Sequence, residues 1–527
     1  MSELIKEISD DFRGYLKDES RTTGCAETIS FPKSEAEVRL ILAGLAPAKT
    51  RITIQGARTG LAAGAVPFGG HVMNMGKMNR VLGLRRDGGK FYINVQPGVV
   101  LSQLKKDVEE KLFRPSGWSA ESLAAAREFA ASPEYFFPTD PTETSASIGG
   151  ITACNASGAR SYLYKAARNH ISALRLALWD GSVIPVRRGE TFASGRVLTL
   201  TKDDCSRLSV TLPGYEMPNT KNASGYYVRD DMDAIDLIIG SDGTLGVLTE
   251  IELELIPLPA VIWGVTSFFK SEADAVRFVK TVRAALSDIA AIEYFDGGAI
   301  EILRNQKKSS SAFAQLPDVD PAADCCVYTE IHCGETAAAL ERLYEIGACA
   351  ESAGGDERNT WVARDSRDLE SLQFFRHAVP ESTNMFIDER RKLDPIITKL
   401  GADMSVPDER LSDVLALYRG GLGEYGLDSA TWGHIGDNHL HVNILPRDGA
   451  DFKKGKELFV KWAKKVSEMG GSVSAEHGVG KIKAPFLEFM YGRKHVIGMA
   501  KVKQAFDPNF VFGCGNLFPA DILEARQ

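Results

Sequence analysis

The sequence predicts an α+β protein of two lobes, a glycine-rich strand-and-turn lobe followed by a lobe in which helices flank an antiparallel sheet. Three observations predict it. The 527 residues exceed the roughly 250–300 residues at which a single core stops growing. Residues 31–255 mix short strands with glycine turns. Beyond the prolines of IPLPA (256–260), long helical patterns alternate with strands, as in α+β lobes. The expected division is an N-terminal helical extension at 1–26, a first lobe at 27–258, a second at 259–470, and a closing segment at 471–527 that returns to the first lobe.

Taken in order, MSELIKEISDDFRGYLKDES (1–20) is charged and helix-like, without the apolar core of a signal peptide. RITIQG (51–56) alternates and ends in glycine, a strand entering a tight turn, and YINVQPG (92–98) reads the same way. VVLSQLKKDVEEKL (99–112) is an amphipathic helix. LRLALWDGSVIPV (174–186) is a hairpin around Asp180-Gly181. DLIIGSDGTLGVLTEIELELIPLP (236–259) reads as strand, glycine turn and strand. In the second lobe, helical patterns at 271–288, 335–352, 407–420 and 452–468 alternate with VIWGVTSFF and CCVYTEIH.

Composition excludes several classes. Hydrophobic content of 44 % and charged content of 25 % are those of a soluble globular protein. A net charge of −8 without a basic stripe argues against a nucleic-acid partner. No apolar run approaches the ~20 residues of a membrane helix, so a cytoplasmic protein is expected, with peripheral attachment to a membrane left open. The eight cysteines form no CxxC pair and no iron–sulfur run. Free, reduced thiols are expected.

Three glycine-rich stretches could meet a phosphate. QGARTGLAAGAVP (55–67) carries Gly56, Gly60 and Gly64. It matches neither nucleotide fingerprint, but such a turn can form a concave nest of backbone N–H groups. PTDPTETSASIGGITACNASGA (138–159) is uncharged from Thr144 onward and rich in Ser, Thr, Asn and Gly. It reads as a long loop, and long loops usually carry function. IIGSDGTLGVLTE (238–250) brings a third backbone stretch close to something.

WGHIGDNHLHVNILP (432–446) holds three of the nine histidines. HLHVN is a strand pattern, so His439, His441 and Asn443 point to one face, and the turn after His434 can fold it back towards them. Two imidazoles and a carboxylate make a three-ligand metal site with open positions. The carboxylate could be Asp437 or come from elsewhere, and AEHGVGK offers Glu476 beside His477. Histidines that only pack and hydrogen-bond are the alternative.

These motifs, in this order, resemble the FAD-binding PCMH-type (vanillyl-alcohol-oxidase) flavoprotein family, in its D-lactate, D-2-hydroxyglutarate and glycolate dehydrogenase branch. The pieces are the glycine turn 56–61, the loop from Pro138 to NASGAR, GSDGTLG with Asp242 in the family's Glu position, GHIGDNHLH, EHGVG and FDPNFVFGCGNLF (506–518). Together they span about residues 27–518. The resemblance implies a two-subdomain PCMH-type FAD-binding domain, a cap domain, and FAD held non-covalently. His71 and His170 lie outside these motifs. It implies cofactor contacts from Gly56, Ala57, Arg58, Thr59, Gly60 and Leu61, then from Pro138, Thr139, Asp140, Thr142, Ser147, Gly149, Gly150, Asn155, Ser157 and Gly158. Gly240, Gly246 and Val247 would follow, with Asn516 near the flavin ring.

It further implies a divalent metal on His434, His441 and Glu476, zinc first and manganese or iron as alternatives, with His477 as the general base. Arg376, in LQFFRHAVPE, would clamp a carboxylate through two parallel bonds, and Asn443 would hydrogen-bond the substrate. The implied reaction is oxidation of a small D-2-hydroxy acid by hydride transfer to flavin N5, the metal polarising the hydroxyl. His439 stands where many relatives have Asn; a side chain that supports a metal ligand, or a hydrogen-bonded strand residue, is favoured over a further ligand. Pro380 and Gly401 also depart from the pattern and leave the substrate's length open. The electron acceptor (an electron-transferring flavoprotein, a quinone or an iron–sulfur partner) and the oligomeric state, a homodimer included, stay open. An O2-using flavin oxidase, a flavin-free metal hydrolase and a flavin electron carrier are the competing readings.

Overall fold

The computed structural model describes residues 4–519 and 522–523. The first three residues of the expected N-terminal helix, and positions 520–521 and 524–527 of the closing segment, lie outside the described residues. Two sheets organise the N-terminal half. A four-stranded sheet runs in the order Ile5–Glu7, Thr28–Ser30, His71–Asn74, Ile52–Gln55, its last two pairings parallel. A six-stranded antiparallel sheet is centred on Val247–Pro257, between Lys90–Val95 and Ile171–Ala177. In that central strand Ile251, Leu253 and Leu255 are buried and alternate with glutamates, the period of a strand, and the second strand expected at 236–259 is present.

The second lobe is built on an eight-stranded antiparallel sheet in which Val261–Phe269, Cys325–Cys333, Ile289–Phe295, Ser429–Gly433 and His439–Ile444 are successive neighbours. Alternation along these strands makes two cores. Val265, Ile292, Val327 and Ile331 pack with the helices Glu272–Ala285 and Thr336–Ser352. Phe268, Phe295, Cys326 and Tyr328 face the opposite side, against Gly297–Ser309 and Ser366–Leu393. The latter helix carries Arg376. All eight cysteines are free. No helix among the described residues is long and apolar enough to cross a membrane.

Three local expectations are corrected. The N-terminal segment is helical only in part: Ile5–Glu7 is a strand and Asp10–Leu16 a 3-10 helix. Pairing with Thr28–Ser30 gives its backbone partners that helix propensity alone could not outweigh. The apolar stretch 236–239 is not a strand; Ile235–Ile238 forms one helical turn. A short buried apolar run does not separate the two by periodicity. The stretch 138–159 is not all loop. Ile148–Cys154 is a helix whose N-cap Ser147 Oγ accepts from Gly150 N at 3.2 Å, with Asn155 as a left-handed C-cap.

His71 is a sheet histidine. Its ring nitrogens lie 2.8 Å from Thr28 Oγ1 and 2.7 Å from Ser30 Oγ on the neighbouring strand. His170 Nε2 bonds the Tyr164 carbonyl at 2.6 Å. Burial pushes the His71 pKa down to about 4. Unfolded, the same ring takes a proton near 6.5, so stability is full above that pH and is lost as pH falls from 6.5 towards 4. The loss from this one group should reach about 3 kcal/mol. Chemical denaturation at pH 7 and pH 4.5 should show a smaller pH-dependent drop in His71→Gln than in the unsubstituted protein; equal drops would refute the assignment.

Candidate active site

The three glycine-rich stretches converge. A Cβ on Gly56 would lie 2.1 Å from Ser147 Oγ, so the first turn and the second stretch are in direct contact. A Cβ on Gly158 would sit 1.8 Å from the Asp140 carbonyl, and one on Gly240 3.2 Å from Asn155 Cβ. At Gly158 the facing atom is backbone and only hydrogen fits, and Gly240 also has the positive φ of 83° that favours glycine. Two buried polar atoms here have no hydrogen-bond partner, Arg58 Nη1 and Thr139 Oγ1. Buried polar groups are rarely left so. A polar cofactor lying across the first two stretches would satisfy both, and the backbone at Gly60 is open to it. The residues present therefore fit FAD.

Other expected contacts are engaged within the protein. Asp140 faces Lys105 and Arg160. Ser157 Oγ donates to Glu476 Oε2 at 3.2 Å. Asn516 Nδ2 donates to the carbonyls of Gly64 and Asp242 at 3.0 and 2.9 Å, and its Oδ1 accepts from Lys481 at 2.7 Å. Asn516 thus ties the first and third glycine stretches together.

The histidine cluster forms as the strand pattern requires. His439–Ile444 is a strand, and a 3-10 turn at Ile435–Asp437 returns His434 to the same side. Glu476 comes from the closing segment. Its Oε1 lies 3.3 Å from both His434 Nε2 and His441 Nε2. The ligand atoms of His434, His439, His441 and Glu476 all lie within 4.8 Å of one another. The second nitrogens of two rings are anchored: His434 Nδ1 lies 2.7 Å from Glu293 Oε1, and His441 Nδ1 lies 3.2 Å from the Ala402 carbonyl. Metal-ligating histidines are held in this way. Asp437, the alternative carboxylate, instead accepts from Ser161 Oγ at 2.6 Å. His439 is fully buried, and neither ring nitrogen has a well-directed hydrogen bond, although Nε2 is 2.9 Å from Asp403 Oδ1.

The charges are unusual. Burial opposes protonation of His434, yet Glu293, with help from Glu476, carries its pKa up to about 9. Burial also opposes ionisation of Glu476, but Lys221, His434 and His439 hold its carboxylate well below the usual range. Lys221 Nζ donates to Glu476 Oε2 at 2.9 Å. Lys221 and His434 thus crowd one buried carboxylate, and a cation bound there would take the place of the proton on His434 Nε2. The donor set fits a divalent cation.

His477 stacks on His441, ring centroids 5.2 Å apart and planes within 10°. Burial lowers its pKa to about 4, against the pull of Asp403 and Glu476, so the ring is neutral at pH 7. Asp403 builds the loop beneath it, accepting from the backbone N–H of Glu476 and of His477 at 3.2 and 3.1 Å, and from Lys483. Asp242 accepts from Val479 and Gly480 N–H at 3.0 and 2.8 Å. The third glycine stretch therefore holds the loop that carries Glu476 and His477.

Arg376 lies 3.7 Å from Glu293 and 4.0 Å from Glu330, over the Tyr328 ring at 4.6 Å. Its buried Nε has no partner, nor has Asn443 Oδ1. Asn443 Nδ2 is used, donating to the His441 carbonyl at 3.0 Å. Sequence reasoning missed Glu293, Glu330, Asp403 and Lys221. A signal existed for the first two: AAIEYFD and CCVYTEIHC each place one glutamate in an otherwise apolar strand, and buried carboxylates are rare unless paired.

Comparison with known proteins gives a consistent set. Residues 258–517 match the FAD linked oxidases, C-terminal domain, and residues 26–122 match the FAD binding domain. A D-lactate dehydrogenase of Anaerostipes hadrus is 25 % identical, over 97 % of this chain and 93 % of its own. A D-2-hydroxyglutarate dehydrogenase of Stutzerimonas stutzeri is 26 % identical, over 97 % and 95 %. A D-lactate dehydrogenase of Archaeoglobus fulgidus is 25 % identical, over 92 % and 90 %. Among solved structures, an alkyldihydroxyacetonephosphate synthase superposes with a TM-score of 0.63 at 13 % identity, covering 97 % of this chain and 82 % of that one, a likeness of fold.

Proposed function

We propose, from the premise that this chain belongs to the FAD-linked oxidase family of PCMH-type flavoproteins, that it oxidises a small D-2-hydroxy acid to the 2-oxo acid with a divalent cation in its cap. It is an oxidoreductase with a FAD-binding domain; the substrate class and the cation are our reading. One observation carries it. The loop with Glu476 and His477 is hydrogen-bonded through Asp242 to the third glycine stretch, so the cation ligands and the cofactor cradle share one rigid turn.

When bound, FAD would supply a two-electron acceptor, and a divalent cation held by His434, His441 and Glu476 would supply a Lewis acid. The rest falls to this chain's side chains. Arg376, with its free buried N–H, receives the substrate carboxylate and turns the molecule so that its hydroxyl faces the histidines. Neutral His477 accepts the hydroxyl proton as the α-hydrogen departs. Asn443 Oδ1, unpartnered and on the same strand face as His441, accepts a hydrogen bond from the substrate. Burial around Arg376 and Glu476 strengthens each of these contacts by keeping water out.

FAD-loaded protein should be bleached anaerobically by a member of a panel of D- and L-2-hydroxy acids. The D-series should react faster, and chelator treatment should suppress the reaction in proportion to metal removed. A protein that takes up no FAD on reconstitution, or is bleached equally after the metal is stripped, defeats the reading. Peroxide release under air would identify an oxidase in place of a dehydrogenase.

A further inference from the structure

Glu293 lies in the middle of the cap sheet, on Ile289–Phe295, and is buried. Its strand neighbours Ile292, Tyr294 and Phe295 are apolar and buried, so nothing in the local fold calls for a carboxylate there. A buried charge persists only where partners hold it. Its two oxygens face two different partners. Oε1 lies 2.7 Å from His434 Nδ1, and Oε2 lies 3.7 Å from the Arg376 guanidinium. Glu330, the other carboxylate near Arg376, is otherwise occupied: Oε1 receives Arg160 and His332 at 2.6 and 2.8 Å, and Oε2 receives Tyr328 at 2.6 Å. Glu293 Oε2 faces Arg376 at 3.7 Å, with Lys221 also acting on the carboxylate.

We propose that Glu293 is a positioning residue that joins the two positive centres of the site, a role that rests on the cation reading above. Its Oε1 accepts the Nδ1 proton of His434, so that when His434 holds a cation it does so through Nε2, the nitrogen directed at the point shared with Glu476 and His441. Its Oε2 holds the Arg376 guanidinium in place while no substrate is bound, and competes there with an incoming carboxylate. One side chain therefore favours the cation and opposes the anion.

The two actions have opposite signs, which separates them from a structural role. In Glu293→Gln the amide can donate to Nδ1 and reverse the His434 tautomer, turning an N–H towards the ligand point. FAD-loaded, chelator-stripped protein titrated with Zn2+ should then show a dissociation constant about 10–100-fold weaker than the unsubstituted protein. In the same metal-free protein, oxalate followed through its perturbation of the flavin spectrum should bind severalfold more tightly, because the competing charge is gone. Weakening of both, or of neither, overturns the proposal. An unsubstituted protein that takes up no Zn2+ overturns the cation reading itself; Zn2+ binding unchanged by E293Q overturns only the role of Glu293. Should E293Q fail to retain FAD, Glu293→Asp decides by the same titrations. The shorter carboxylate keeps the charge but loses reach, so Zn2+ binding should again weaken and oxalate binding tighten; parallel or absent shifts overturn the proposal.

Discussion

His477→Gln should reduce the rate of anaerobic flavin reduction by about 10²–10⁴-fold, the usual worth of a positioned general base, while FAD content and melting temperature stay as they were. The imidazole is neutral at working pH because burial lowers its pKa to about 4. Asp403 Oδ2 lies 3.4 Å from Nδ1 and holds the ring proton there, while Nε2, 3.6 Å from Glu476 Oε1, is the nitrogen on the side of the proposed cation site and is the proton acceptor. His477 is also the most open of the clustered histidines, its side chain 27 % exposed against 13 % for His441 and 6 % for His434. In the unsubstituted protein the rate should fall as pH drops through about 4, where the ring becomes protonated, and that acid limb should be absent from the residual rate of the variant. Stopped-flow absorbance over a pH series measures both. A variant that reduces its flavin at the full rate would remove His477 from the reaction.

Glu476→Gln should abolish cation retention, and turnover with it. Glu476 Oε1 lies 3.3 Å from both His434 Nε2 and His441 Nε2. Without its charge the expected ligand set keeps two imidazoles, one short of the three protein ligands of an open divalent-metal site. Metal content after gel filtration and anaerobic reduction rate should fall together, each by about 100-fold or more, beyond the 10–100-fold seen for outer-shell partners. Stability should fall too. The side chain of Lys221 is only 7 % exposed and has its ion pair with Glu476, and breaking a buried pair costs about 3–5 kcal/mol. Zn2+ should not restore turnover, since its site is gone. Full activity in this variant would show that the cluster is structural.

The strand alternation of HLHVN settled, without coordinates, that His439, His441 and Asn443 share a face, because successive side chains of a strand point to opposite sides. In the same way the glycines of the three N-terminal stretches marked where the backbone comes close to something, and Gly56, Gly158 and Gly240 each pack against a neighbouring segment. The central strand Val247–Pro257 and the helices Glu272–Ala285 and Thr336–Ser352 follow their apolar periodicity. Short apolar runs were ambiguous, and tertiary pairing decided them, as at Ile5–Glu7 and Ile235–Ile238.

What the sequence by itself determined is local: which residues alternate, where the chain must turn, and which side chains one strand presents together. Which residues meet across the sheet is a different matter. Glu293 reaches His434 over 141 positions, Lys221 reaches Glu476 over 255, and Asp242 reaches Gly480 over 238. No periodicity encodes those separations, since strand order in a sheet is set by the burial of whole faces and not by any one segment. The tertiary structure alone therefore decided the charges around the cluster, and with them the protonation of His434 and His477.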